Sequence, residues 1–243
     1  MVKKQQFKFQ WNSTQRSEYV QKMFSEISGT YDLINDLFTF GMHKKWKRKL
    51  AQSFINHNDI VVDIGCGTGD FSFACMEQKP QHVIGIDFSS EMIQEATKKN
   101  TVESQKCIKF VIGDAVNLPI RSSSVDICSL SFVIRNIPNI QDMLSEVHRI
   151  LKPGGKLVIL EVFKPPSKGI NFIVSFYINF FVLFLGRVIS KHKDGYVYLN
   201  YSINTFMNID ELGTQLQQEK FIIIQKKMVM LASVGTLVVQ KGD

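Results

Sequence analysis

Asp63-Ile64-Gly65-Cys66-Gly67-Thr68-Gly69-Asp70 decides the fold. It closes an apolar run, Ile60–Ile64, and opens a helix-like segment near 70–78. A short apolar run, a glycine turn and then helical spacing read as strand, tight turn and helix. Glycines let the turn close sharply and bring backbone close to a ligand. In the dinucleotide fingerprint G-x-G-x-x-G the third glycine would fall at position 70, where the chain has Asp70. A carboxylate at a helix N-terminus is badly placed for a pyrophosphate. The loop therefore suits a ligand without phosphates, a cationic one included, and an NAD-dependent dehydrogenase fits it poorly.

Outward from this turn the same alternation repeats. Further apolar runs are His82–Ile86, Ile108–Ile112, Val125–Leu130 and Lys156–Val162, with helix-like segments near 89–99 and 140–151. Strands alternating with helices imply crossover connections and a parallel sheet buried on both faces. Residues 15–55 read as helical, with Val20, Met23, Phe24 and Ile27 at helical spacing and interruptions at Gly29 and Gly41. Residues 166–206 carry no clear strand. Alternating apolar residues return in Phe221–Met228 and Val234–Gln240, the latter a candidate antiparallel strand. The expected fold is α/β, a doubly wound, mostly parallel sheet of seven strands in one domain. Its parts are an N-terminal helical cap (1–55), a ligand-binding core (56–165), a helical insertion (166–206) and a C-terminal helix with strands (207–243).

Open parallel sheets bind ligands outside the carboxyl ends of their strands. Asp87 ends the second run, where a carboxylate accepts hydrogen bonds from both hydroxyls of a ribose; a helix N-cap is its plainer role. Asp114 ends the third, where it suits either an adenine amino group or a turn after Gly113. A glycine loop followed by two acids at successive strand ends is far more specific than any one of them.

Composition sets wider bounds. The chain has 243 residues, 44% of them hydrophobic, enough for a sizeable core. The formal net charge of +7 favours anionic partners, from nucleic acid to a lipid surface, without choosing among them. No basic-aromatic stretch of the kind that binds nucleic acid stands out, so no nucleic-acid partner is expected. Cys66, Cys75, Cys107 and Cys128 form no C-x-x-C pair, which leaves reduced thiols and no metal site. Met1–Gln10 lacks the apolar centre of a signal peptide, so the expected compartment is the cytoplasm.

Asp63 through Gly69, Asp87, Asp114-Ala115 and Leu151-Lys152-Pro153-Gly154-Gly155 resemble the motifs of class I S-adenosylmethionine methyltransferases. Within that superfamily the chain resembles the UbiE/MenG family, which C-methylates the quinol ring in ubiquinone and menaquinone biosynthesis. The resemblance rests on Tyr31-Asp32-Leu33-Ile34-Asn35 with His43-Lys44-Lys45-Trp46, on Ser131-Phe132-Val133-Ile134-Arg135-Asn136, on Arg149 through Glu161, and on Tyr196-Val197-Tyr198-Leu199 with Ser202-Ile203. It spans roughly residues 19–239. Departures are Gly65-Cys66-Gly67, where the family often has paired glycines, Val133, where it has glycine, and Leu231–Gly235, which lacks its paired glycines. The valine is expected to narrow the substrate pocket.

The resemblance implies S-adenosyl-L-methionine as cofactor. It places Thr68, Asp87, Asp114, Ala115 and Ser131 at cofactor-contacting positions, with Gly65 and Gly67 as backbone sites. Asp63 is expected either to meet the methionine ammonium or to anchor the turn. The implied substrate is a polyprenylated quinol, first a demethylmenaquinol, with a ubiquinol precursor instead or as well. A quinol carbon becomes nucleophilic once a neighbouring hydroxyl loses its proton, so the site needs a proton route and a donor for the phenolate. Arg135 is the expected donor and Asn136 the orienting group, with Tyr31 and His43 as further catalytic candidates. Methyl transfer by the isolated protein separates this reading from a non-catalytic scaffold subunit. Ile170–Leu185 is too short to span a membrane comfortably. It reads either as a lid for the isoprenoid tail or as a helix packed in the core or a dimer interface. The basic run Lys44, Lys45, Lys47, Arg48 and Lys49 reads either as a solvated helix face or as a contact for anionic lipid. A peripheral membrane contact, and a homodimer or a quinone-synthesis complex, are the expected associations.

Overall fold

The computed structural model describes residues 12–101, 107–164, 169, 174, 176, 177, 180, 193–230 and 233–242. Seven strands form one sheet: β1 (Ile60–Ile64), β2 (His82–Asp87), β3 (Ile108–Ile112), β4 (Val125–Ser131), β5 (Leu151–Val162), β6 (Phe221–Val229) and β7 (Val234–Lys241). Their order is β3-β2-β1-β4-β5-β7-β6. The first five are parallel, and β7 runs antiparallel to both neighbours, β5 and β6. The strand order reverses between β1 and β4, which opens a crevice at their carboxyl ends.

Successive side chains on a strand point to opposite faces, and each face is filled. Val61, Val83, Ile127 and Val158 pack with Ile34, Phe38, Leu50 and Phe71 on one side. Those partners come from α2 (Tyr31–Thr39), α3 (Met42–Phe54) and α4 (Asp70–Met76). Val62, Ile64, Cys128 and Leu237 pack with Met143, Val147, Leu212 and Leu216 on the other. These belong to α6 (Ile140–Ile150) and to a later helix, Ile209–Gln218. The near-continuous apolar strands are the consequence of cover on both faces.

The N-terminal cap is three helices, broken at Gly29 and Gly41. α1 (Ser13–Ile27) starts with a reciprocal cap between Asn12 and Gln15. A 3-10 turn at Ser28–Thr30 contains Gly29, and Phe40 and Gly41 both take left-handed backbone between α2 and α3. Gln21 donates to the Phe88 carbonyl, and Ser25 donates to Glu91, the second residue of α5 (Ser90–Lys99). α1 is thereby held against the carboxyl edge of β2. Strand β5 begins at Leu151, five residues before its apolar run at Lys156. Leu151 pairs with Val125, and the register shifts before Ile127, so the Lys152–Gly155 turn is absorbed as an irregularity within the strand. Of the Ile170–Leu185 segment, all but Val174, Phe176, Tyr177 and Phe180 lies outside the described residues. The chain resumes in α7 (Lys193–Thr205), and the Ile209–Gln218 helix is α8. Among the described residues no helix is long and apolar enough to cross a membrane.

Candidate active site

Two spaces meet at the crevice. The first is a cleft of 410 Å³ floored by Ile64, Gly65, Ile86, Asp87, Gly113, Asp114 and Ala115. The second is a tight apolar cavity of 60 Å³ whose lining includes Ile34, Phe38, Phe132, Arg135 and Tyr198. Helix α1 covers both. Thr14, Ser17 and Val20 face the cleft, and Met23, Phe24 and Ile27, one to two turns further on, face the cavity. Asn136 lines both spaces.

The cleft is organised around Asp87. Its Oδ2 accepts from the Gly67 N–H at 2.8 Å and its Oδ1 from the Ser89 N–H at 2.9 Å. Each oxygen keeps a further lone pair for a ligand hydroxyl. Burial pushes the Asp87 carboxyl up to about 6, against those backbone bonds, so it titrates just below neutrality. Ser89 also caps α5, accepting from the Met92 N–H. Asp114 is exposed at the rim and holds its own turn by accepting from the Val116 N–H. Gly65 requires glycine twice over. Its φ is +65°, and a Cβ there would fall 2.2 Å from Val133. Val133 therefore lines the cleft, above Gly65.

The remaining loop residues stand behind the cleft. Asp63 is buried, accepting from Ser72 at 2.6 Å and Ser129 at 2.7 Å, and burial raises its carboxyl from the usual range. Those serines tie β1 to α4 and β4, the turn-anchoring role. Thr68 donates to Asp32, which Lys99 also binds. The Tyr31 ring lies against the loop, 3.5 Å from where a Cβ on Gly67 would stand. The Ser131 hydroxyl is buried without a hydrogen-bond partner.

Arg135 and Asn136 are presented by a 3-10 turn after β4. Arg135 is buried, and its Nη1 donates to Glu161 at 2.5 Å and to the Phe132 carbonyl at 2.9 Å. Glu161 is wholly buried and also accepts from the backbone N–H groups of Arg135 and Val162. The guanidinium is thus fixed at one edge, while its Nε has no partner. Asn136 accepts from the Tyr198 hydroxyl at 3.3 Å and leaves its own Nδ2 unpaired. Burial raises both tyrosine phenols, Tyr31 and Tyr198, above their ordinary range, keeping them neutral donors. Arg16 closes the arrangement by donating to the Arg135 carbonyl.

The structure thus brings Gly65, Asp87, Asp114, Ala115 and Asn136 to the cleft and Tyr31, Arg135 and Asn136 to the cavity. It does not bring His43 to either. His43 is fully buried on α3, its Nε2 3.0 Å from Asp36 and its Nδ1 3.7 Å from Asp70. Burial and the neighbouring Lys47 depress its titration, so it stays neutral. Glu161 and Tyr198 were named only as members of matching stretches. A legible signal existed for Glu161: a carboxylate directly after Leu157–Leu160 in a central strand must be paired.

The chemistry of the cleft fits S-adenosylmethionine. Apolar walls, a carboxylate for ribose hydroxyls and a glycine loop without a phosphate cradle suit an adenosine carrying a sulfonium. Asn136, whose Nδ2 is unpartnered, stands at its edge. Fold and site together define a class I S-adenosylmethionine-dependent methyltransferase. The chain belongs to the ubiE/COQ5 methyltransferase family, whose model matches residues 12–235. Its curated relatives include a demethylmenaquinone methyltransferase of Lactiplantibacillus plantarum, 33% identical, with 83% of this chain and 87% of that one covered. Another is the ubiquinone/menaquinone biosynthesis C-methyltransferase UbiE of Rickettsia bellii, 31% identical over 88% and 89%. Among solved structures, an S-adenosylmethionine-dependent methyltransferase from Aquifex aeolicus shares the fold with a TM-score of 0.58 at 16% identity, covering 80% of this chain and 88% of that one.

Proposed function

We propose that this enzyme C-methylates the ring of a polyprenylated quinol, a demethylmenaquinol first, using Arg135 and Asn136 as the groups that meet the ring oxygens. The observation that carries the reading is the position of Asn136, which belongs to the wall of both the cleft and the apolar cavity. A methyl donor in one and an acceptor ring in the other meet there. Bound S-adenosylmethionine supplies a methyl group on a sulfonium, already a strong electrophile. The protein's work is alignment and charge stabilisation. Phe24, Ile27, Ile34 and Phe38 offer apolar contacts to the ring. The free Nε of Arg135 supplies a fixed cationic donor to the oxygen on which phenolate charge develops. Asn136, oriented by the Tyr198 hydroxyl, holds a second oxygen or a water. Arg135 and Ser202 also border an open polar recess with Arg16 and Glu211, which gives the hydroxyl proton a path to solvent through water.

A prenyl tail would bring the substrate to a membrane surface. Leu37, Phe40, Met42, Phe176 and Phe180 are exposed, and the Tyr177 ring lies 5.9 Å from that of Phe40. Lys44, Lys45 and Lys49 are exposed along α3. This apolar corner with basic residues beside it supports peripheral contact with lipid. The deciding experiment is mass spectrometry of quinones in cells lacking the protein, paired with methyl transfer by the purified enzyme. A ring-demethylated quinone should accumulate. An unchanged quinone pool would reject the reading.

A further inference from the structure

Helix α2 turns one face to the apolar cavity. Tyr31, Ile34, Asn35, Phe38 and Thr39 all line it, at the i, i+3, i+4, i+7 and i+8 spacing of a core-facing helix stripe. Asn35 is out of place in that stripe. Asparagine is a poorer helix former than leucine, and a leucine here would continue the apolar surface of Ile34 and Phe38. Thr39, the other short polar side chain, is satisfied locally. Its hydroxyl donates to the Asn35 carbonyl at 2.7 Å and accepts from the His43 N–H at 3.3 Å. Burial raises the Tyr31 phenol, and the nearby Asn35 amide opposes that rise, yet the buried Asn35 Nδ2 makes no hydrogen bond. An amide donor buried without an acceptor is costly.

Among the described residues that line the cavity, the buried side-chain nitrogens without a partner are Asn35 Nδ2, Arg135 Nε and Asn136 Nδ2. Arg135 and Asn136 come from the turn after β4, whereas Asn35 comes from α2, a separate wall. Asn136 also borders the cleft, and Asn35 does not. Along α2, the Tyr31 ring lies against the glycine loop, and Asn35 follows one turn further on. Phe38 comes next; Tyr177 donates to its carbonyl at 2.9 Å and packs its ring against the exposed Phe40. The helix thus runs from the methyl-donor side of the cavity toward an apolar exit. A prenylated 1,4-quinol has the same polarity. One oxygen neighbours the open carbon that takes the methyl group, and the opposite oxygen neighbours the carbon that carries the tail.

We infer that Asn35 is a specificity-determining residue of the acceptor site, donating to the ring oxygen beside the prenylated carbon while Arg135 meets the oxygen beside the attacking carbon. The inference rests on the quinol reading and deepens it: the cavity selects a ring with two para oxygens, and Asn136 is left to hold the water. At 60 Å³ the cavity is smaller than such a ring, so α1 and α2 part to admit it, and Nδ2 gains its acceptor then.

The test compares two short-tailed acceptors of one shape, 2-prenyl-1,4-naphthalenediol and 3-prenyl-1-naphthol, in methyl transfer by the purified enzyme. The naphthol lacks only the hydroxyl beside the tail. That hydroxyl is meta to the attacking carbon, so its loss changes intrinsic nucleophilicity little. Wild-type enzyme should use the naphthol with a kcat/KM roughly 5- to 30-fold lower, the worth of one hydrogen bond to a buried amide. In Asn35→Leu the preference should shrink to about twofold or less, because the diol loses efficiency and the naphthol does not. Asn35→Ala serves if the leucine variant does not fold. Equal use of both acceptors by wild-type enzyme would overturn the inference without any variant. So would a preference that is the same in wild type and variant, which would leave Asn35 as a packing residue whose loss slows both acceptors alike. Failure of the quinol reading would show differently, as no methylation of either acceptor by wild-type enzyme that still binds S-adenosylhomocysteine, and would overturn both.

Discussion

Replacing Arg135 should reveal two effects with separable sizes. Glu161 is wholly buried, and Arg135 is its ion-pair partner, at 2.5 Å. Arg135→Met leaves that carboxylate without its cation, and breaking a buried pair from one side costs about 3–5 kcal/mol. In a chain of 243 residues that corresponds to a fall in Tm of roughly 6–20 °C. Arg135→Met/Glu161→Gln removes both charges, and the amide oxygen can still accept from the Val162 N–H. The double variant should therefore lie within about 2 kcal/mol of wild type. Urea unfolding at constant m-value measures these differences, and the cycle isolates the coupling. Catalysis follows a different order. Arg135→Ala, Arg135→Met and the double variant should all lose about 3 kcal/mol of transition-state stabilisation, near a hundredfold in single turnover, with cofactor affinity nearly unchanged. Lysine at 135 should rescue only in part, because it keeps charge but loses the planar fork. The assay is single-turnover methyl transfer at saturating cofactor and quinol, below the unfolding range of each variant. A folded Arg135→Ala enzyme with wild-type transfer would reject the catalytic role. An Arg135→Met variant as stable as wild type, or a double variant no more stable than the single one, would reject the buried-pair argument.

Asp87→Ala should weaken S-adenosylmethionine binding by about 1–3 kcal/mol by calorimetry, since a charge-assisted acceptor is lost; unchanged affinity in a folded protein would remove Asp87 from the site. Burial raises the Asp87 carboxyl to about 6 from an ordinary 3.8, so the folded state holds its proton more tightly than the unfolded state. Its ionisation therefore costs stability as pH rises from about 4 to about 6. Cofactor affinity should run the opposite way, falling as pH drops below about 6 because the ionised form is the better acceptor; an identical pH profile in Asp87→Asn would refute this. Phe176 and Phe180 are 67% and 62% exposed, so changing both to Ser should leave Tm unchanged while slowing long-tailed quinols more than short-tailed ones; equal slowing of both, with a lowered Tm, would point to packing.

The sequence by itself determined the sheet. Seven apolar runs appear as seven strands, and β1 and β3 match residue for residue; in the central strand β1 this follows from cover on both faces, whereas β3 lies at the sheet edge with Lys109, Val111 and Ile112 exposed. It also brought Gly65, Asp87 and Asp114 to one cleft, since the carboxyl ends of parallel strands share one edge of the sheet. Partnership was decided only by the tertiary structure. Asp63 anchors the turn because Ser72 and Ser129, 9 and 66 residues away, supply its hydrogen bonds. Arg135 is held by Glu161 across 26 residues, and Asn136 by Tyr198 across 62. His43 and Lys47 read as a catalytic candidate and part of a surface charge run, yet both turn inward because α3 lays that face on α4. Periodicity records whether a position is buried. Which distant side chain shares the burial, and so which polar atom is satisfied and which is left for a ligand, is fixed only when the elements pack.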